Sequence, residues 1–210
     1  VWYVAPTYQM ARQILWDDLQ EVLPRKWVRK KNDTTMTIVL KNGSEIALKG
    51  ADKPDTLRGV ALHFVVLDEF QDMKADTWYK VLRPTLSSTR GGALIIGTPK
   101  GFSEFHKLWT IGQNVELQRK GQWKSWQFVT ADSPFVPTAE IEAAKNDMDP
   151  KSFAQEYLAS FENMSGRVYY PFDHNVHVKP LQFNPRLPIW VGQDFNIDPM
   201  SSVILQPQPN

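Results

Sequence analysis

The segment that most constrains this chain is "ALHFVVL", residues 61–67, which runs straight into Asp68 and Glu69. A strand with one face in water alternates apolar and polar side chains, whereas a strand covered on both faces does not. The unbroken run Phe64–Leu67 therefore predicts a central strand of a parallel sheet. A second such run, "ALIIG" at 93–97, is expected to form another buried strand and leads into "TPKG". Between them a helix is expected over 74–83, with Trp78, Val81 and Leu82 inward and Pro84 ending it. Strand, helix and strand in that order, with all-apolar strands, is the pattern of an α/β fold with a parallel sheet.

The flanking segments extend this pattern. Val1–Ala5 reads as a short core strand closed by Pro6, and residues 9–23 carry Ala11, Ile14, Leu15, Leu19 and Val22 at helical spacing up to Pro24. "TTMTIVL" and "SEIAL" flank Asn42-Gly43, a strong hairpin signal, with Met36, Ile38, Leu40, Ile46 and Leu48 expected on the buried side. Beyond Gly101, a helix is expected at about 103–111, a strand at 123–130, and helices at 138–148 and 150–160. Thr138 should cap the first of these last two helices, and Asp149-Pro150 should start the second. "GRVYY", 166–170, reads as a short strand, and the proline-rich 180–188 as a linker. "IWVGQDF" at 189–195 begins a new hairpin with "NIDPMS" as its turn.

Composition narrows the function classes. The 210 residues are 42% apolar and 22% charged, enough for a real core. Net charge is +1, which neither requires nor excludes a nucleic-acid partner. With no cysteine there is no disulfide, thiol nucleophile or Cys-ligated zinc. No apolar run approaches the ~18 residues of a membrane span. The chain opens on a core-like strand and stops just after another, so both ends are expected to belong to a longer protein.

The chemistry is expected at the strand ends, because open parallel sheets bind ligands beyond their carboxyl edge. If 64–67 and 93–97 are neighbours, Asp68, Glu69 and Thr98 converge there. An Asp-Glu pair after an apolar run is common, and "GTP" alone is often only a turn. The two motifs about 30 residues apart, with a helix between, are far more specific. Read as a nucleotide-hydrolysing site, Asp68 would hold Mg²⁺ through water, Glu69 would orient or deprotonate the attacking water, and Thr98 would sense the γ-phosphate or the attacking water. The phosphate cradle Gly-x-x-x-x-Gly-Lys-Ser/Thr is not in these residues, which contain no Gly-Lys pair.

The order "YVAPTYQMARQILWDDL", "KPDTLRG", "VVLDEFQDM", "LRPTLSSTRGGALIIGTPKG", "FAQEYLASFENMSGRVYYPFD" and "VGQDFNIDP" resembles the large terminase subunits of tailed bacteriophages. The resemblance covers nearly the whole chain. It implies a P-loop-type ATPase core with a parallel-rich sheet and a small helical lid, followed by the first hairpin of an RNase H-like nuclease. On it, residues 1–179 are the ATPase domain without its P-loop segment, which would lie upstream of Val1. Residues 103–165 are the lid, 180–188 the linker, and 189–210 the start of the nuclease. Asp68 and Glu69 match the Walker B metal ligand and catalytic glutamate. Gly97 and Thr98 fall in the coupling motif, against the nucleotide. Arg58 falls where some members place an arginine finger acting on a neighbouring subunit; a local pair with Asp55 is the alternative. Asp194 matches the first carboxylate of a two-metal nuclease site using Mg²⁺ or Mn²⁺. The implied cofactor is Mg-ATP. The implied partners are double-stranded DNA, the portal protein, the small terminase subunit and further copies in a ring, and no membrane. The implied location is the host bacterial cytoplasm, transiently at the procapsid portal. The 210 residues alone are expected to turn over no ATP.

Other features are expected to be structural. His174 and His177 have ligand-like spacing without a third ligand and read as surface histidines. "RKWVRKK", 25–31, suits DNA phosphates but reads better as a solvated helix end or loop. Trp2, Trp16, Trp78, Trp109, Trp123 and Trp126 read mostly as core. Gln71 and Asp72 would either polarise the site or simply begin the following helix, the second being preferred. A superfamily 1 helicase shares little beyond "DEFQD" and would next show Gly-Asp-x-x-Gln, which is absent. A non-catalytic prophage remnant is the other alternative.

Overall fold

The computed structural model describes residues 1–161, 178, 180, 182–195 and 201–207. Two compact units, Val1–Gly166 and Arg167–Asn210, are each described by themselves.

The first unit is built on a six-stranded sheet. Its strands are β1 (Trp2–Ala5), β2 (Val28–Asn32), β3 (Thr37–Leu40), β4 (Glu45–Gly50), β5 (Phe64–Leu67) and β6 (Gly92–Ile95), in the order β2-β3-β4-β1-β5-β6. β1 pairs in parallel with both β4 and β5, and β5 in parallel with β6. β2, β3 and β4 form an antiparallel meander. The β3–β4 turn is the expected Asn-Gly one: Gly43 takes φ +87°, and Asn42 Oδ1 accepts the Ser44 N–H at 3.0 Å.

Alternation along β1 divides the core in two. Trp2 and Val4 join Val65, Leu67, Phe70, Trp78, Val81 and Leu82 on one face. Tyr3 and Ala5 join Ala11, Trp16, Met36, Ile38 and Leu48 on the other. Leu40 and Ile46, which lie toward the Asn42-Gly43 turn, are only half-buried. Helices cover both faces. α1 (Tyr8–Ala11) runs through a π-helical turn, Arg12–Trp16, into α2 (Asp17–Val22). Thr7 Oγ1 caps α1 by accepting the Met10 N–H at 3.1 Å. The other face carries a π-helical turn, Thr77–Leu82, that continues into α3 (Arg83–Thr85). Pro84 thus lies inside the last turn rather than ending the helix before it; the Lys80 carbonyl, four residues earlier, accepts Arg58 Nη1 instead of a helical N–H.

The helical region comprises α4 (Glu104–Gly112), α5 (Val115–Arg119), α6 (Thr138–Asp147) and α7 (Pro150–Glu156). Asp149 Oδ1 caps α7 at 3.0–3.1 Å as expected, but α7 ends at Glu156 rather than 160. Thr138 is the first helical residue of α6, not its cap; that position is Pro137, which has no side-chain acceptor.

Three further expectations are corrected. Residues 123–129 form no ladder. Among the described residues β6 is an edge strand with no neighbour on its outer side, and Leu94 is 41% and Ile96 43% exposed. "RKWVRKK" is a 3₁₀ turn, Arg25–Trp27, followed by the exposed edge strand β2, where lysines discourage pairing with another chain. Of the tryptophans, 2, 16 and 78 are buried, 109 and 123 half-buried, and 126 exposed.

In the second unit β7 (Trp190–Asp194) pairs antiparallel with β8 (Ser201–Leu205), and every residue of both is exposed. The expected strand at 166–170, His174, His177 and most of the expected turn at 196–201 lie outside the described residues.

Candidate active site

Parallel pairing of β5 with β6, Leu67 opposite Ile95, brings the two motifs to one sheet edge. The ladder runs on past the strands: the Asp68 N–H donates to Val4 O at 2.9 Å, Ile96 N–H to Leu67 O at 2.8 Å, and Phe70 N–H to Ile96 O at 3.1 Å. Asp68 is thereby fixed between β1 and the start of the 96–101 loop.

Both oxygens of the Asp68 carboxylate are used. Oδ2 accepts the Tyr3 hydroxyl at 2.6 Å, and Oδ1 accepts the Glu69 N–H at 2.9 Å. The Tyr3 phenol is held well above the usual tyrosine range, first by burial, then by its bond to Asp68 and by the charges of Asp68 and Glu69. It therefore stays a neutral donor through the neutral pH range. Nothing in the spacing of "WYVAP" singles out Tyr3; its role exists only once β1 and β5 are paired.

Glu69 turns the chain. Its backbone is left-handed, φ 53° and ψ 42°, an uncommon conformation for a residue with a Cβ. Phe70 then plugs the core at 2% exposure, against Phe105, and anchors a 3₁₀ turn, Phe70–Asp72. Gln71 does more than begin a helix. Its Nε2 donates to Glu69 Oε2 at 2.6 Å, and its Oε1 accepts the Thr98 N–H at 3.2 Å. Outside it, Lys100 pairs with Asp72 at 2.8 Å. Gly97 makes room for the Gln71 amide, since a Cβ there would lie 2.1 Å from Oε1.

The structure thus brings together the candidate residues Asp68, Glu69, Gly97 and Thr98, and adds Tyr3 and Gln71 to them. Arg58 is held elsewhere: Nε donates to Asp55 at 2.8 Å and Nη1 to Lys80 O at 2.8 Å, so the local pairing is the arrangement present. Asp194 ends β7 opposite Ser201, in the other unit. Among the described residues no three His, Cys, Asp or Glu side chains form a metal-holding group. A magnesium nucleotide does not require one, since Mg²⁺ takes one or two carboxylates and completes its octahedron with water and phosphate oxygens.

The family description "Terminase large subunit, T4likevirus-type, N-terminal" matches residues 3–175. The chain belongs to the terminase large-subunit family. It is 30% identical to the terminase large subunit of Escherichia phage T5 over 183 residues, covering 85% of this chain and 41% of that protein. To that of Thermus phage G20c it is 35% identical, covering 82% and 41%. It therefore spans about two-fifths of the length of these terminases. Among solved structures, the large terminase ATPase domain of Thermus phage P74-26 aligns at TM-score 0.64 and 27% identity over 77% of this chain and 76% of that one. The large terminase of a thermophilic bacteriophage in complex with ADP aligns at TM-score 0.61 and 17% identity, over 99% and 52%, a likeness of fold. No helix among the described residues is long and apolar enough to cross a membrane.

Proposed function

We propose that this chain is the larger part of a terminase ATPase domain, residues 1–179 with 103–165 as its lid. The linker is 180–188, and 189–210 opens an RNase H-like nuclease. The intact protein hydrolyses ATP to drive double-stranded DNA into a procapsid in the host cytoplasm. It works as a ring of copies with the portal protein and the small subunit. The observation that carries this is the convergence of Asp68, Glu69 and Thr98 on one edge through the β5–β6 pairing.

Asp68, oriented by Tyr3, and the Gly97–Thr98 backbone would hold Mg-ATP. Magnesium held there would supply neutralisation of the charge on the phosphates. Glu69 orients the attacking water and takes its proton. Thr98 reports the state of the nucleotide to the loop that follows. Arg58, half-exposed at 51%, acts as a finger on a neighbouring subunit once released from Asp55. Asp194 is one carboxylate of the nuclease metal site. Its hairpin is exposed on both faces and needs further strands, since a lone hairpin is marginal in water.

The phosphate loop belongs to a segment outside these residues, and the fold is open where that segment fits. Among the described residues β6 has an unpaired edge, and an apolar cleft of about 540 Å³ separates β6 and its following loop from residues 122–128. Phe64, Leu94 and Ile96 share one face and are 37–43% exposed. A strand–phosphate loop–helix unit would pair with β6 and cover that face. The 210 residues alone then hydrolyse no ATP. In the full-length protein, Glu69→Gln should reduce magnesium-dependent ATP hydrolysis by about 10²–10⁴-fold. An unchanged rate would overturn the assignment of Glu69.

A further inference from the structure

We propose that Gln71 is a positioning residue that ties the Glu69 carboxylate to the backbone of the Thr98 loop. This rests on the ATPase reading. A single carboxamide makes both bonds: nitrogen to Glu69 Oε2 at 2.6 Å, oxygen from the Thr98 N–H at 3.2 Å. Its orientation is fixed by chemistry. A carboxylate requires a donor and an N–H requires an acceptor, so the flipped amide would lose both bonds.

Three links join the turn Phe70–Asp72 to residues 96–100. They are Phe70 N–H to Ile96 O at 3.1 Å, the Lys100–Asp72 pair at 2.8 Å, and the Gln71 amide. Of these three, only the amide reaches the Glu69 carboxylate. Gly97 permits it, because any Cβ at 97 would sit 2.1 Å from Gln71 Oε1. Displacement of the Thr98 backbone therefore moves the amide and, with it, the Glu69 side chain. No replacement of similar size supplies both bonds. Glutamate keeps the acceptor for Thr98 but sets a like charge against Glu69. Leucine supplies neither.

The test compares wild-type full-length protein with Gln71→Leu, Gln71→Glu, Gly97→Ala and the Gln71→Leu/Gly97→Ala double variant. Two readouts are taken. The first is ATP turnover. Gln71→Leu should lower kcat about 10–100-fold with KM for ATP within about twofold, as expected for a misplaced catalytic group. Gln71→Glu should be at least as impaired. Gly97→Ala should fall by a similar factor, and the double variant should be no worse than the more impaired single, since both remove the same link. The second readout is amide hydrogen exchange of residues 96–100, which should speed up in Gln71→Leu whether or not the protein turns over ATP. Faster exchange in a protein without Glu69-dependent hydrolysis would keep the link and remove the ATPase reading. A Gln71→Leu kcat within twofold of wild type, multiplicative losses in the double variant, or unchanged exchange would each overturn the proposal.

Discussion

Asp68 and Asp194 look alike in the sequence. Each closes a short strand, "VVLD" and "WVGQD". The fold treats them differently. Asp68 leaves a strand flanked in parallel on both sides, and its two oxygens are met by Tyr3 and by the Glu69 N–H. Asp194 ends a strand, β7, whose residues, like those of its partner β8, are all exposed. An acid at a strand end becomes a site when neighbouring strands aim groups at it. The strand itself supplies only the position.

The sharpest way to break this contrast is to neutralise each acid in the full-length protein. Asp68→Asn should reduce ATP hydrolysis by about a thousandfold, the equivalent of several kcal/mol of lost metal stabilisation, and leave DNA cleavage intact. Asp194→Asn should do the reverse. Loss of both activities in either variant would mean that the two acids do not serve separate chemistries.

A smaller effect compares the strands rather than their ends. Leu67 is fully buried in β5, and Leu67→Ala should destabilise the first unit by about 2–5 kcal/mol in denaturant unfolding. Val203 is 57% exposed in β8, and Val203→Ala should cost less than about 0.5 kcal/mol in this 210-residue chain. A larger loss for Val203 would show that the hairpin is already covered.

An effect smaller than that of Leu67→Ala probes what holds Asp68. Tyr3→Phe removes one hydrogen bond to a charged group, which costs about 1.5–3 kcal/mol. It also has a pH signature. The folded phenol ionises above the usual tyrosine value, so its contribution to stability is fully present below about pH 10. That contribution is lost as pH rises through the folded value. Ultraviolet titration should show the Tyr3→Phe protein losing a late phase, that of a phenol ionising above the usual tyrosine value. If the late phase survives, Tyr3 is not the held phenol.

Much of this is legible from local pattern. The apolar runs mark β5 and β6, Asn42-Gly43 marks the hairpin, and the two motifs mark Asp68, Glu69 and Thr98. What is not legible depends on neighbours. Tyr3 and Gln71 acquire roles only through pairing of β1 with β5 and of β5 with β6. "WKSWQFVT" has strand composition, yet β propensity reflects fit to a paired, half-buried surface, and here an open cleft lies between it and β6. "ALIIG" reads as buried because its pattern assumes a neighbour on its far side. The basic run reads as solvated, and it is, but as an edge strand whose lysines face water.

Glu69 carries one more consequence. Its left-handed backbone would suit glycine or asparagine better than glutamate, a preference on the order of 1 kcal/mol. A library of variants sorted only on melting temperature is expected to drift away from glutamate at 69, and with it from the role proposed for that side chain. On that proposal durability and turnover are opposed at this position, so engineering for one has to hold the other fixed.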